Sequence, residues 1–393
     1  MKIIDLKPLD KDALENIGLE WHTDADRTPY IANEAVEISK AEAEALYSAG
    51  TELYDMFVEA GEFVIKNNLF FELDIPTMLI DSIKQSWENE VHWHIYGRFD
   101  FAGGFDGKPI KLLEFNADTP TLLYESALIQ WALLKFNKMD ADSQFNDIFD
   151  AISDNFKRMI TLGADLERFD EMYEGWGVLF SSIRGNIEEE CTTRFLMECA
   201  KNAGLKTEFA YIDEVIFDEN NGAYYGDCQY EFLFKLLPWE IISIDEPELA
   251  VLINKMIANK NTIFLNPAYT LLFQSKRMLK ILWDLFPNHP LLLESSFEPL
   301  KNKKQVKKVS FGREGANVDI LDSNGAILSA KGGDYGNYKP LYQAFYELNS
   351  HKGALYQPNV FFAYESCGLG IRKGGEIMDN MSKFVSHYLK NTH

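Results

Sequence analysis

Residues 95–116 constrain this chain more than any other stretch. Two runs, IYGRFDFAGG and IKLLEFN, flank the turn sequence FDGKP, in which Asp106-Gly107 is the strongest turn signal of the 393 residues. Polar and apolar residues that alternate with period two suit strands rather than a helix face, so an antiparallel hairpin is expected here. Alternation puts Arg98 with Asp100 on one face of the first strand, and Glu114 with Asn116 on one face of the second. If the strands are neighbours, all four polar groups converge while the aromatic residues point the other way. Asp, Glu and Asn oxygens form a hard-cation set, suited to magnesium held together with nucleotide phosphates. An arginine beside them can grip a carboxylate or phosphate with two parallel hydrogen bonds. An alternating strand with one solvated face has the same spacing, and spacing alone leaves both open.

Around the hairpin the texture is mixed. Residues 1–90 read mostly as helix. ISKAEAEALYSAGTELYDMFVEAGEFVIKNN starts at Ser39 and closes at Asn68, and TMLIDSIKQSWENE follows Pro76. Residues 125–157 read as helix again. Residues 174–250 predict a βαβ-like unit: GVLFSSI, then EEECTTRFLMECAKNAG closed by Gly204, then KTEFAYIDEVIFD ending in an Asn-Asn-Gly turn. TIFLNP adds a strand and KRMLKILWDLF a helix stopped by Pro287, while PLYQAFYEL and GALYQPNVFFAYE read as further strands. The expected fold class is α/β (α+β). A chain this long suits a large body with satellites, divided here at 1–90, 91–300, 301–345 and 346–393.

Charge narrows the function. With 38 Lys and Arg against 61 Asp and Glu, the formal net charge is −23, and so negative a surface repels nucleic-acid backbones. A local cationic pocket can still take a small anionic substrate. Cys191, Cys199, Cys228 and Cys367 form no CxxC, and no histidine stands at metal-ligand spacing, so free thiols in a reducing cytosol are expected. The N-terminus lacks the apolar core of a secretion signal, and charges break every apolar run before membrane-span length. A cytoplasmic protein without membrane contact is the expectation.

Five lysines fall between residues 301 and 308, ahead of Val309-Ser310-Phe311-Gly312-Arg313-Glu314-Gly315-Ala316-Asn317. Glycines let backbone N–H groups curl around phosphate oxygens, and lysine supplies a point charge. A basic hairpin with a plain glycine turn accounts for the pattern as well. Near the C-terminus, Gly368, Gly370 and Arg372 end an apolar strand, where an arginine can be aimed at a transferring phosphoryl group or can simply sit in a turn.

Four stretches and a fifth short one, RFDFAGGFDGKPIKLLEFNADTPT, FKLLPWE, LNPAYTLLFQSKRMLKILWDLFPNHPLLLES, KKVSFGREGANV and GLGIR, resemble the synthetase domain of glutathionylspermidine synthase, in the family's order. The resemblance implies an ATP-grasp-like body with a small glycine-loop lid and an N-terminal helical segment. It implies a reaction in which a carboxylate is activated by ATP as an acyl phosphate and then attacked by an amine, giving an amide, ADP and phosphate. It also implies that Asp100, Glu114 and Asn116 bind Mg2+, and that Lys276 and Lys308 meet the nucleotide phosphates. Gly312 to Gly315 become the lid loop, and Gln343 in PLYQAFYEL faces the adenine edge. Arg372 stabilises the acyl-phosphate transition state, and Arg98 meets the peptide acid near its reacting carboxylate. The Lys307-Lys308 pair leaves that lysine's register open by one residue. Glu188-Glu189-Glu190 lies where the family attracts a polyamine, with Glu240 as another candidate and Lys235 on the segment before it, although a helix dipole also favours acids at a helix start. Bifunctional members carry an amidase domain ahead of the synthetase. Only residues 1–90 precede the core here, so the resemblance implies a chain without it.

The leading expectation is therefore an ATP-dependent carboxylate–amine ligase, with glutathione or another peptide as acid and a polyamine as amine left unassigned. A non-catalytic Mg-ATP-binding regulator is the second reading, and an acidic scaffold the third.

Overall fold

A computed structural model describes residues 1–390. The hairpin forms where alternation places it, as Gly97–Ala102 paired antiparallel with Lys111–Asn116. Asp106 and Gly107 turn it with left-handed backbones. These two strands are one edge of an eight-stranded sheet. The order continues through Ala354–Ala363, Glu365–Gly374, Lys383–Leu389 and Ile31–Ile38 to Lys2–Asp5, with Asn349–His351 paired to Ala354–Ala363 off that path. Ile31–Ile38 runs parallel to Lys383–Leu389, and the other pairs are antiparallel.

The 27-residue helix Lys40–Lys66 lies across this sheet. Ser39 and Glu42 cap it reciprocally, the Glu42 carboxylate accepting from the Ser39 amide at 2.7 Å. Leu46, Leu53, Phe57, Ala60 and Val64 recur at helical spacing and are buried. Gly50 permits a close crossing, since a Cβ there would stand 2.4 Å from Ser366 Oγ. Beneath the helix the outward aromatics of the hairpin stack, with Phe99 and Phe115 ring centroids 3.9 Å apart. Each such fully buried ring contributes about 1.5–3 kcal/mol.

A second, parallel sheet has the order Ile263–Leu265, Phe232–Lys235, Gly177–Ser182, Lys206–Tyr211, with the helix Ile187–Asn202 between the last two in sequence. This is the expected βαβ unit. A third, antiparallel sheet of five strands takes the lysine- and glycine-rich region: Ser295–Ser296, Pro340–Ala344, Gln305–Val309, Val318–Leu321 and Ile327–Lys331. A three-stranded meander, Ile216–Asp218, Gly222–Tyr225 and Cys228–Tyr230, completes an α+β architecture.

Three local expectations are corrected. Residues 1–90 are not only helical, because they give the eight-stranded sheet its outermost strand and its neighbour. The helix expected over 125–157 is divided into Glu125–Ile129, a wide turn, Gln130–Phe136 and Ile148–Thr161. Gly368 and Gly370 sit inside the strand Glu365–Gly374 rather than at its end. They admit neighbouring segments, not a ligand: a Cβ at Gly368 would stand 2.4 Å from Ile148 and one at Gly370 2.3 Å from Ser126.

Buried histidines are expected to make this fold acid-sensitive. His94 donates from Nε2 to the Ala117 carbonyl at 2.9 Å, and His387 Nε2 accepts the Phe145 amide at 2.8 Å. Burial lowers His92 and His94 to about 4 and His387 to about 3. Unfolded, each returns to about 6.5, so below that pH the unfolded chain binds more protons and stability falls as pH falls. Thermal denaturation should show Tm dropping steeply from pH 6.5 to pH 4, and less steeply in His387→Gln. A flat Tm across that window would contradict the assignment.

Candidate active site

Strand register brings the four polar residues of the hairpin together. Arg98 lies opposite Asn116, and Asp100 opposite Glu114. Arg98 and Asp100 are both buried, which charged groups tolerate only when paired. The Arg98 guanidinium grips Asp100 bidentately, at 2.7 Å through Nε and 3.0 Å through Nη2, and donates from Nη1 to the Thr121 carbonyl at 2.8 Å. Asn359, opposite Asp100 on the next strand, donates to the same carboxylate at 2.8 Å. Asn116 Nδ2 stands 3.4 Å from Asp100 and 3.3 Å from Glu114.

Two lysines close on Glu114 from different elements. Lys276 follows the short helix Thr270–Gln274, and its Nζ lies 3.1 Å from Glu114 Oε2 and 2.7 Å from the Gly312 carbonyl. Lys308, on Gln305–Val309, donates to the Leu113 carbonyl at 2.6 Å and to Gln343 Oε1 at 2.9 Å. Burial works against ionisation of Glu114, but the charges of Lys276 and Lys308 outweigh it and hold the carboxyl at about 2. Burial lowers Lys308 to about 8, against the pull of Glu114.

Period two separates the adjacent lysines. Lys308 lines the cavity, whereas Lys307 projects from the opposite face and pairs with Asp319 at 3.3 Å. Gln343 also lies against the cavity, but both ends of its amide are engaged, Oε1 by Lys308 and Nε2 by the Leu112 carbonyl at 3.1 Å. In this arrangement its Oε1 orients Lys308 and its Nε2 is held by the hairpin strand.

The cavity measures about 730 Å³, and Arg98, Asp100, Glu114, Asn116, Lys276, Lys308 and Arg372 share its wall. Arg372 donates from Nη2 to the Asp379 carbonyl. Gly312 and Gly315 also border it. Gly315 has φ +69, and a Cβ there would stand 2.4 Å from the Met378 carbonyl, so glycine lets the loop close onto the C-terminal segment.

The three glutamates of the 188–190 run separate by helical rotation. Glu188 and Glu189 line the cavity, but Glu190 turns away to Arg194 at 2.8 Å and the Tyr211 hydroxyl at 2.8 Å. Burial, then the neighbouring Glu125, pushes Glu188 up to about 8. Glu240 is buried behind the wall and pairs with Arg313 at 2.7 Å, while its Oε2 has no hydrogen-bond partner. Lys235 is likewise buried, 3.4 Å from Asp118 and 4.1 Å above the Trp239 ring centre, and it does not border the cavity.

Several residues here escaped the sequence reading. Trp21 and Tyr30, from the N-terminal segment, border the cavity, and each donates to Glu125 Oε1 at 2.9 Å. Arg313 ties the glycine loop to Glu240 and to Thr119 Oγ1 at 3.3 Å. Its place between Gly312 and Gly315 was the available signal. A glutamate inside an apolar helical run, as Glu125 is, carries none.

A sequence profile described as glutathionylspermidine synthase preATP-grasp matches residues 1–390. The chain belongs to this family. A candidate acid–amine ligase of Haemophilus influenzae is 30% identical over 397 residues, covering 95% of each chain. The bifunctional glutathionylspermidine synthetase/amidase of Escherichia coli is 25% identical over 398 residues, and the match spans 93% of this chain but 60% of that protein. A glutathione synthetase-like effector of Globodera pallida shares the fold, with a TM-score of 0.56 at 10% identity over 98% of both chains. Among the described residues no helix is long and apolar enough to cross a membrane.

Proposed function

We propose that this member of the glutathionylspermidine synthase family is an ATP-dependent acid–amine ligase that works through an acyl phosphate. The observation that carries the reading is the convergence of two lysines, two arginines and an Asp–Glu–Asn oxygen set on one cavity wall. Asp100, Glu114 and Asn116 would hold Mg2+. All three carry hard oxygen atoms, and the neighbouring lysines favour the ionised form of Glu114. In the present arrangement both Asp100 oxygens accept from Arg98, Asn359 and Asn116, which an arriving ion would displace in part. The ion would neutralise phosphate charge and so let an anionic carboxylate approach.

The chain's own residues would do the rest. Lys276 and Lys308 would bind phosphate oxygens of ATP, exchanging their present carbonyl and amide partners for a charged one. Arg98 would align the substrate carboxylate, whose oxygen attacks the γ-phosphorus as the bond to ADP breaks. Arg372 would balance the charge spreading over the transferring group. The 310–317 loop would act as the glycine lid and exclude water, because an acyl phosphate hydrolyses when wet. Glu188 and Glu189 would meet the amine by hydrogen bonds, Glu188 mostly as a neutral carboxyl because burial favours that form, and the neutral amine would attack the carbonyl and displace phosphate.

ADP release with Mg-ATP, measured over a crossed panel of peptide acids and amines including glutathione and spermidine, tests this. ADP should appear in step with one acid–amine pair and with the mass of their amide. ATP turnover indifferent to both acid and amine would contradict it. Saturable Mg-ATP binding without ADP from any pair would favour a nucleotide-binding regulator instead.

A further inference from the structure

The turn at residues 71–75 lies outside the cavity wall, yet it holds the segment that carries the glycine loop. Asp74 has a left-handed backbone with φ 63. Its Oδ2 accepts from the Ser310 hydroxyl at 2.7 Å and from the Lys339 amide at 2.8 Å, and Lys339 Nζ lies 3.7 Å from Oδ1. Ser310 and Lys339 are the two ends of one excursion. They adjoin Val309 and Pro340, the last pair in register between Gln305–Val309 and Pro340–Ala344. The Ser310 amide donates to the Lys339 carbonyl at 3.1 Å, which closes the neck.

The same turn reaches the nucleotide side. The Lys276 amide donates to the Ser310 carbonyl at 2.9 Å, and Ser275 Oγ donates to the Leu73 carbonyl at 2.7 Å. Arg277 donates to the carbonyls of Glu72 and Pro340. One carboxylate thus sits where the base of the 310–339 segment meets the residues that carry Lys276.

We propose that Asp74 is a positioning residue for the ligase reaction, a clamp that joins the neck of the 310–339 segment to the Lys276 turn. The inference rests on the function proposed above. In the present arrangement Lys276 Nζ donates to the Gly312 carbonyl, so the position of the loop bears directly on this lysine. A segment tied at both ends by one acceptor swings as a unit and returns, instead of opening at its base. Hydrogen bonds to a carboxylate are strong enough for this purpose.

Asp74→Gly removes the carboxylate while keeping the left-handed backbone accessible, and Asp74→Asn keeps that backbone and one acceptor oxygen. The test combines hydrogen exchange of residues 308–317 in the full chain without nucleotide, Tm, KM for ATP, and the ratio of ADP to amide. In Asp74→Gly, exchange should quicken and KM for ATP should rise, each about tenfold, because bonds to a charged group are lost. ADP should exceed amide as acyl phosphate leaks to water, and Asp74→Asn, which keeps a neutral acceptor, should recover part of each loss. Unchanged exchange in Asp74→Gly would overturn the clamp. So would a loss of rate that tracks Tm while the ADP-to-amide ratio stays that of wild type. Wild-type protein that binds Mg-ATP but makes no amide would defeat the ligase reading alone, and exchange and ATP affinity would still decide the clamp.

Discussion

Replacing Lys308 with methionine should abolish ligation and weaken Mg-ATP binding about 100-fold, roughly the worth of a buried charge against a phosphate. The reasoning starts from what Lys308 now touches. Its ammonium is buried and rests on two neutral acceptors, the Leu113 carbonyl and Gln343 Oε1. Its direct hydrogen bonds go to neutral acceptors while the Glu114 carboxylate pulls on it from nearby, so a phosphate that replaces those neutral partners adds a charged one. Methionine keeps the apolar stem and removes only the charge, so Tm should move by a few degrees at most. Isothermal titration with a non-hydrolysable ATP analogue, beside Tm, separates the two effects. Lys307→Met is the control: its ammonium pairs with Asp319 on the other face, and nucleotide affinity should stay within about threefold of wild type.

Arg372→Ala should behave differently, with kcat falling about 1,000-fold while ATP affinity stays near wild type. Arg372 lies on the strand Glu365–Gly374, and its Nη2 donates to the Asp379 backbone carbonyl on the segment that follows. Among the described residues it pairs with no carboxylate, so its charge is available to a group that becomes more anionic during transfer. Arg372→Lys should remain well below wild type, because an ammonium lacks the planar fork that meets two oxygens together. Steady-state kinetics alongside ATP binding distinguish this from Lys308→Met, where affinity falls too. Equal loss of binding in both variants would mean that Arg372 holds ground-state phosphate instead.

How much was legible in the sequence depended on period and range. The hairpin was, because a two-residue period puts Arg98 with Asp100 and Glu114 with Asn116 on single faces, and Asp106-Gly107 marked the turn. The helix Lys40–Lys66 was, because Ser39 and Glu42 form a local capping box. Strand Ile31–Ile38 was not, since its parallel partner Lys383–Leu389 lies at the other end of the chain. The glutamate run 188–190 was legible as an acidic helix start but not by face, since each residue is rotated 100° from the next and only packing decides which two look inward. Gln343 and Asp74 show the same limit, because each acts through a partner far off in sequence. Their roles follow from Lys308 and from Ser310 with Lys339, which local pattern does not bring together.

The acyl phosphate is the centre of the account, and isotope transfer tests it most directly. The acid substrate is labelled with 18O in its carboxylate, the reaction is run to completion with Mg-ATP and amine, and the phosphate is analysed by mass. One labelled oxygen should appear in inorganic phosphate for each amide formed, because the carboxylate oxygen that attacks the γ-phosphorus leaves with it. Unlabelled phosphate alongside amide, or AMP and pyrophosphate in place of ADP and phosphate, would contradict the mechanism.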